Sequence, residues 1–73
     1  MDFDDEWDAG DMGCGELVLA LRGKLRKTPG QVWKVIARDP GAPADIPAWC
    51  KMTADELLKY DSAMQAYWIK ARP

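Results

Sequence analysis

At 73 residues and 8.2 kDa the chain is one domain, near the lower size limit for a self-sufficient hydrophobic core. The apolar set is 48% of the residues but ten of these are Ala, which leaves enough larger side chains for one sheet covered on one face by helices. A charged fraction of 30% at net −2, with no apolar run near the roughly 20 residues of a membrane span, excludes compositional disorder and a membrane anchor.

Phe3, Trp7 and Ala9 alternate with Asp4, Glu6 and Asp8, which predicts a short first strand around Glu6–Ala9. Gly10, Gly13 and Gly15 form a flexible turn around Cys14. From Glu16 the pattern is helical: Leu17, Leu21 and Leu25 recur every fourth residue, and Thr28-Pro29-Gly30 stops the helix. Val32–Ala37 is the strongest strand signal and ends at Asp39-Pro40-Gly41. A short helix follows from about Ala42 to Met52, with Ile46, Trp49 and Cys50 on one face and Pro43 in its first turn. Two final strands, roughly Asp55–Tyr60 and Gln65–Ala71, flank a turn at Asp61-Ser62-Ala63. The order βαβαββ predicts an α+β fold, a two-layer sandwich with a mixed four-stranded sheet and both helices on one face. It forms a single domain over 1–73, with residues 1–5 as a loose acidic tail.

The small net charge hides a division. Residues 1–11 hold six acids and no base, whereas residues 22–38 hold six bases and no acid. Solvated faces explain most such patterns, but the cluster Arg22, Lys24, Arg26 and Lys27 is also a candidate docking patch for an acidic partner. No RNA-recognition or helix-turn-helix signature is present, so nucleic acid is a minority reading. The acidic N-terminus is unlike a targeting peptide, and a cytoplasmic location is expected.

Several chemistries are excluded by inventory. The chain has no His, so a Ser–His or Cys–His pair cannot form within it. Its two cysteines, Cys14 and Cys50, make neither a C-x-x-C pair nor a zinc site, and neither a cofactor nor a metal is expected. A 14–50 disulfide is open on count alone, though a cytoplasmic chain keeps such pairs reduced. Cys50, beside Trp49 on an apolar stripe, reads as core. Carboxylate pairs such as Asp4/Asp5 and Asp55/Glu56 read as exposed neighbours without acid–base work.

Cys14 is the candidate reactive residue. It follows a strand, opens a helix and lies between glycines, where free backbone N–H groups and the helix dipole favour a thiolate. Gly13 and Gly15 leave the sulfur unshielded, and Glu16 opposes the dipole with its own charge. A small apolar Cys in a turn is the bland alternative at equal weight.

This layout resembles the TusA/SirA-like sulfur-carrier proteins. The resemblance rests on Asp8-Ala9, on Cys14 opening an amphipathic helix, and most specifically on Asp39-Pro40 … Asp45-Ile46-Pro47-Ala48-Trp49-Cys50. The last segment matches the family's D-P-x-x-x-x-D-I-P-x-[FW]-C pattern, and the likeness spans roughly Trp7 to Lys70. It implies a βαβαββ sandwich whose Cys14 carries persulfide sulfur, acting as a sulfurtransferase. The sulfur would pass from a cysteine desulfurase or other donor to a downstream acceptor protein, in tRNA thiolation or related sulfur metabolism. The family's C-P-x-P stands here as Cys14-Gly15-Glu16-Leu17, so both prolines are replaced. The rival readings are a non-catalytic interaction domain and an RNA-binding domain, the latter because the topology is similar to the C-terminal domain of translation initiation factor three. No membrane partner is expected, and the chain is expected to be a monomer.

Overall fold

The computed structural model describes residues Met1–Pro73, in the order β1 (Asp5–Asp8), α1 (Cys14–Arg26), β2 (Val32–Ile36), α2 (Ala42–Thr53), β3 (Glu56–Asp61) and β4 (Ala66–Lys70). The sheet order is β1-β2-β4-β3, with β1 parallel to β2 and the other pairs antiparallel. All six expected elements are present, and the mixed sheet with two helices is the architecture the element order predicts. No helix is long and apolar enough to cross a membrane.

Each element follows from its local chemistry. In α1 the every-fourth-residue leucines Leu17, Leu21 and Leu25 are buried, so the helix lays one stripe on the sheet. At its far end Thr28 Oγ1 donates to the Lys24 carbonyl at 2.9 Å and accepts from Trp33 Nε1 at 2.9 Å, tying the helix terminus to β2. Helix α2 buries Ala42, Ile46 and Cys50, spaced four apart. It tolerates Pro43 at its second position, where the missing N–H would have no partner, and it continues through Pro47. It ends on Ala54 at φ 64°, the left-handed conformation that closes helices.

Alternation splits the sheet into two faces. Trp33, Val35, Tyr67 and Ile69 face the helices and join the core, whereas Lys34 and Trp68 belong to the opposite face. Strand β3 keeps this alternation only by bulging between Leu57 and Lys59. Pairing with β2 begins before β1 itself: the Asp4 N–H donates to the Val32 carbonyl, and the Val32 N–H donates to Asp4 Oδ2, both at 2.8 Å.

Because β1 and β2 are parallel, their C-terminal ends open onto the same edge of the sheet. The loops leading into α1 and α2 therefore run side by side. The Arg38 N–H donates to the Gly10 carbonyl at 3.2 Å, and the Arg38 guanidinium reaches Asp8 at 3.4 Å and Asp11 at 3.6 Å. Gly10 makes the turn at φ 62°, a conformation that favours glycine. This fastening of one loop to the other positions the site.

Candidate functional site

Cys14 is the first residue of α1 and is half-buried; Gly13 caps the helix with extended backbone and no side-chain hydrogen bond. The Cys14 thiol donates to Asp39 Oδ2 at 2.8 Å. That oxygen also accepts the Gly41 N–H at 3.0 Å, so the loop after β2 aims one carboxylate at the sulfur. Asp45, in the first turn of α2, supplies a second. A Cβ built on Gly41 would lie 3.1 Å from Asp39 Oδ2, 3.1 Å from Asp45 Oδ2 and 3.7 Å from Cys14 Sγ. Glycine at 41 thus leaves the space in which the thiol and both carboxylates converge.

This geometry reverses the electrostatics expected from the sequence. A helix start alone favours a thiolate, but burial and then the Asp39 and Asp45 carboxylates push the Cys14 thiol up from 9.0 to about 12. Two full negative charges beside the sulfur outweigh the partial positive charge of a helix N-terminus. At neutral pH Cys14 is a thiol hydrogen-bonded to a base.

Gly13 and Gly15 flank Cys14 and are exposed, as is Glu16. Gly15 and Glu16 lie in the first turn of α1, and neither makes a hydrogen bond to the sulfur. Asp39 and Asp45, not among the residues expected at the site, are the ones that hold the thiol protonated. Their signal was in the sequence, six positions apart across a helix start, but only the parallel β1/β2 pairing shows that they meet Cys14.

The basic cluster is also divided. Arg22 and Arg26 line a groove of about 670 Å³ with Trp49, Asp55 and Arg72. Lys24 turns the other way, its Nζ 4.9 Å from the Trp7 ring centre and 5.7 Å from that of Trp33. Lys27 lines a shallow hollow beside Lys24 and Trp33. Arg22, Lys24 and Arg26 belong to the second half of α1 and Lys27 caps its C-terminus, so the cluster lies at the opposite end of the helix from Cys14.

Cys50 is 2% exposed and its thiol is pushed up to about 11, by burial and then by the charge of Asp55. Both cysteines are free, and no cluster of potential metal ligands is present.

Comparison with known proteins gives a consistent picture. The family described as Sulfurtransferase TusA matches residues 6–71. A sulfur carrier protein TusA of Pseudomonas paraeruginosa is 37% identical over 68 residues, covering 89% of this chain and 86% of its own. That of Pseudomonas syringae is 38% identical over 72 residues, covering 94% and 86%. That of Allochromatium vinosum is 41% identical over 59 residues, covering 80% and 78%.

Proposed function

The chain belongs to the TusA sulfurtransferase family and is a sulfur carrier, and from that premise we propose that Cys14 holds the travelling sulfur as a persulfide. In loading, the Cys14 sulfur attacks the terminal sulfur of a donor persulfide. A new S–S bond forms at Cys14, the donor's S–S bond breaks, and the donor leaves as a thiolate. The Cys14 proton passes to Asp39, which already accepts its hydrogen bond at 2.8 Å. In unloading, an acceptor thiolate attacks the outer sulfur of the Cys14 persulfide. Cys14 leaves as a thiolate and takes a proton from solvent, restoring its hydrogen bond to Asp39. Electrons balance at each exchange, and neither step needs a metal or an external oxidant.

The observation that carries this reading is the Cys14–Asp39 contact, a nucleophile paired with a proton acceptor where a helix begins. The donor we favour is a cysteine desulfurase, and the acceptor another thiol protein of a pathway such as tRNA thiolation. In this reading Arg22 and Arg26, which line the groove at the other end of α1, dock a partner by charge without touching the reacting atoms. A cytoplasmic, monomeric carrier fits this role.

The test is incubation with a cysteine desulfurase and isotope-labelled cysteine, read by intact mass. The protein is expected to gain one labelled sulfur, to lose it to dithiothreitol, and to gain none as Cys14→Ser. Loading that persists in Cys14→Ser would overturn the assignment. Absence of loading in the folded wild-type protein would favour the non-catalytic interaction domain.

A further inference from the structure

The sheet face turned away from the helices carries a row that crosses all four strands: Glu6 pairs with Lys34, Lys34 with Trp68, and Trp68 with Lys59. Trp68 is only 4% exposed although no helix covers this face, and it stands outside the helix-side core. Its cover is the two flanking lysines. Lys34 Nζ lies 5.6 Å and Lys59 Nζ 5.2 Å from the indole centre. Lys34 also lies 5.5 Å from the ring of Phe3, which is 42% exposed.

Two features of this row lack a partner inside the molecule. The indole Nε1–H of Trp68 is buried and has no hydrogen-bond acceptor, an arrangement native proteins largely avoid. Neither lysine has a carboxylate, because the structure's ion pairs all belong to Arg38. The centre of the face thus holds two ammonium groups and one N–H donor. Half-buried Val32 and Ile36 add apolar surface beside them. Around the centre carboxylates outnumber bases: Glu6 and Asp8 on β1, and Glu56 and Asp61 on β3, share this face by their register with Lys34, Ile36, Lys70 and Ala66, and the exposed Lys70 beside Glu56 is the base among them.

We infer that this face is a second docking surface, whose occupant is a protein that seats one carboxylate between Lys34 and Lys59 against Trp68. The occupant's own basic residues meet the acidic strand edges. Charge complementarity selects this class. A polyanion such as RNA, laid across the lysines, runs into carboxylates on both edges, whereas an acidic residue within a basic rim matches centre and border together. The surface lies on the opposite side of the sheet from the helix layer that bears Cys14. A partner can therefore hold the carrier here while the thiol remains open to exchange. The inference does not depend on sulfur transfer.

The experiment is a titration of the ¹⁵N-labelled full chain, followed by the indole Nε1–H resonances, with Trp68 assigned by Trp68→Phe. The probe is the capped peptide Lys-Leu-Glu-Leu-Lys, with its Gln-centred counterpart and an oligouridylate as comparisons. The Glu peptide is expected to shift the Trp68 Nε1–H saturably and to slow its exchange with solvent. Binding is expected to weaken about tenfold when Glu becomes Gln, or in the Lys34→Gln/Lys59→Gln protein, which keeps two polar stems. It is expected to be unchanged in Cys14→Ser, which separates it from sulfur loading. Equal response to the Gln peptide, a stronger response to oligouridylate, or a shift that grows with protein concentration alone would each overturn the proposal.

Discussion

Cys14 Sγ and Asp39 Oδ2 are 2.8 Å apart although 25 positions separate them in the chain, so the thiol comes from the start of α1 and its proton acceptor from the loop after β2. The reactivity of the thiol consequently depends on that loop as much as on its own helix. Removing the Asp39 charge while keeping its shape tests this directly. Asp39→Asn is expected to lower the Cys14 pKa and to raise its alkylation by iodoacetamide at neutral pH by about tenfold, the effect of one pKa unit. Persulfide loading is expected to fall in the same variant, because the proton acceptor is gone. A rise in both rates would show that Asp39 only suppresses the thiol.

The raised pKa also makes a stability statement. The folded protein binds the Cys14 proton more tightly than the unfolded chain, whose thiol titrates near 9.0 against about 12 in the fold. The resulting stabilisation is complete below pH 9 and is lost as pH rises through 9 toward 12. Cys14→Ser is expected to show a shallower alkaline loss of stability in urea titrations at stepped pH. Cys50, also raised, contributes equally to both proteins, whereas Tyr67, raised by burial, by Tyr60 and least by Cys14, loses that last contribution in the variant, a change in the same direction.

Gly41→Ala perturbs the site without changing its charge. The backbone there is ordinary, φ −82° and ψ −14°, but the new Cβ would press on both carboxylates at 3.1 Å. The side chains are expected to swing away and loosen their hold on the thiol. Alkylation of Cys14 should accelerate, by less than in Asp39→Asn, as followed by mass spectrometry at matched times.

Gly15→Pro restores one family proline. Gly15 is the second helical residue, its N–H has no acceptor, and a Cβ there meets nothing within 4 Å. Pro43 occupies the equivalent position of α2. The substitution is expected to stabilise the domain by about 0.4–1 kcal/mol through the unfolded state, measured by urea unfolding. The two carboxylates dominate the thiol, so its pKa should move far less than in Asp39→Asn.

The split basic cluster predicts split phenotypes. Lys24→Ala should cost about 0.5–1 kcal/mol of stability by removing the cation above Trp7 and Trp33. Arg22→Glu/Arg26→Glu should leave stability nearly unchanged and slow association with a sulfur donor, an effect that diminishes as salt rises. Stopped-flow loading at two ionic strengths, with thermal unfolding alongside, separates these outcomes.

The elements were legible because each carries a local signal. The leucine spacing marks α1, the run Val32–Ile36 marks β2, and Asp39-Pro40-Gly41 marks the stop before α2. Boundaries moved by a residue or two, most at α1, which begins at Cys14 whereas the helical spacing is readable only from Glu16. Cys14 was legible for the same reason, as a thiol at a helix start. Its charge state was not, because that depends on Asp39 and Asp45, and no local pattern reports a contact across 25 residues. The direction of Lys24 was hidden similarly: one-dimensional charge counting groups it with Arg22, whereas helical rotation carries it onto the tryptophans.

Strand β4 is the last in the chain yet lies between β2 and β3. A ribosome makes the elements in a different order from that in which the sheet needs them. Until residues 66–70 emerge, β2 lacks one neighbour, β3 has none, and the loop bearing Asp39 hangs from a half-built support. Cys14 is synthesised long before that moment. The nascent chain is thus expected to carry a less restrained thiol, and the carboxylates' full hold on the sulfur to depend on the strand that is made last.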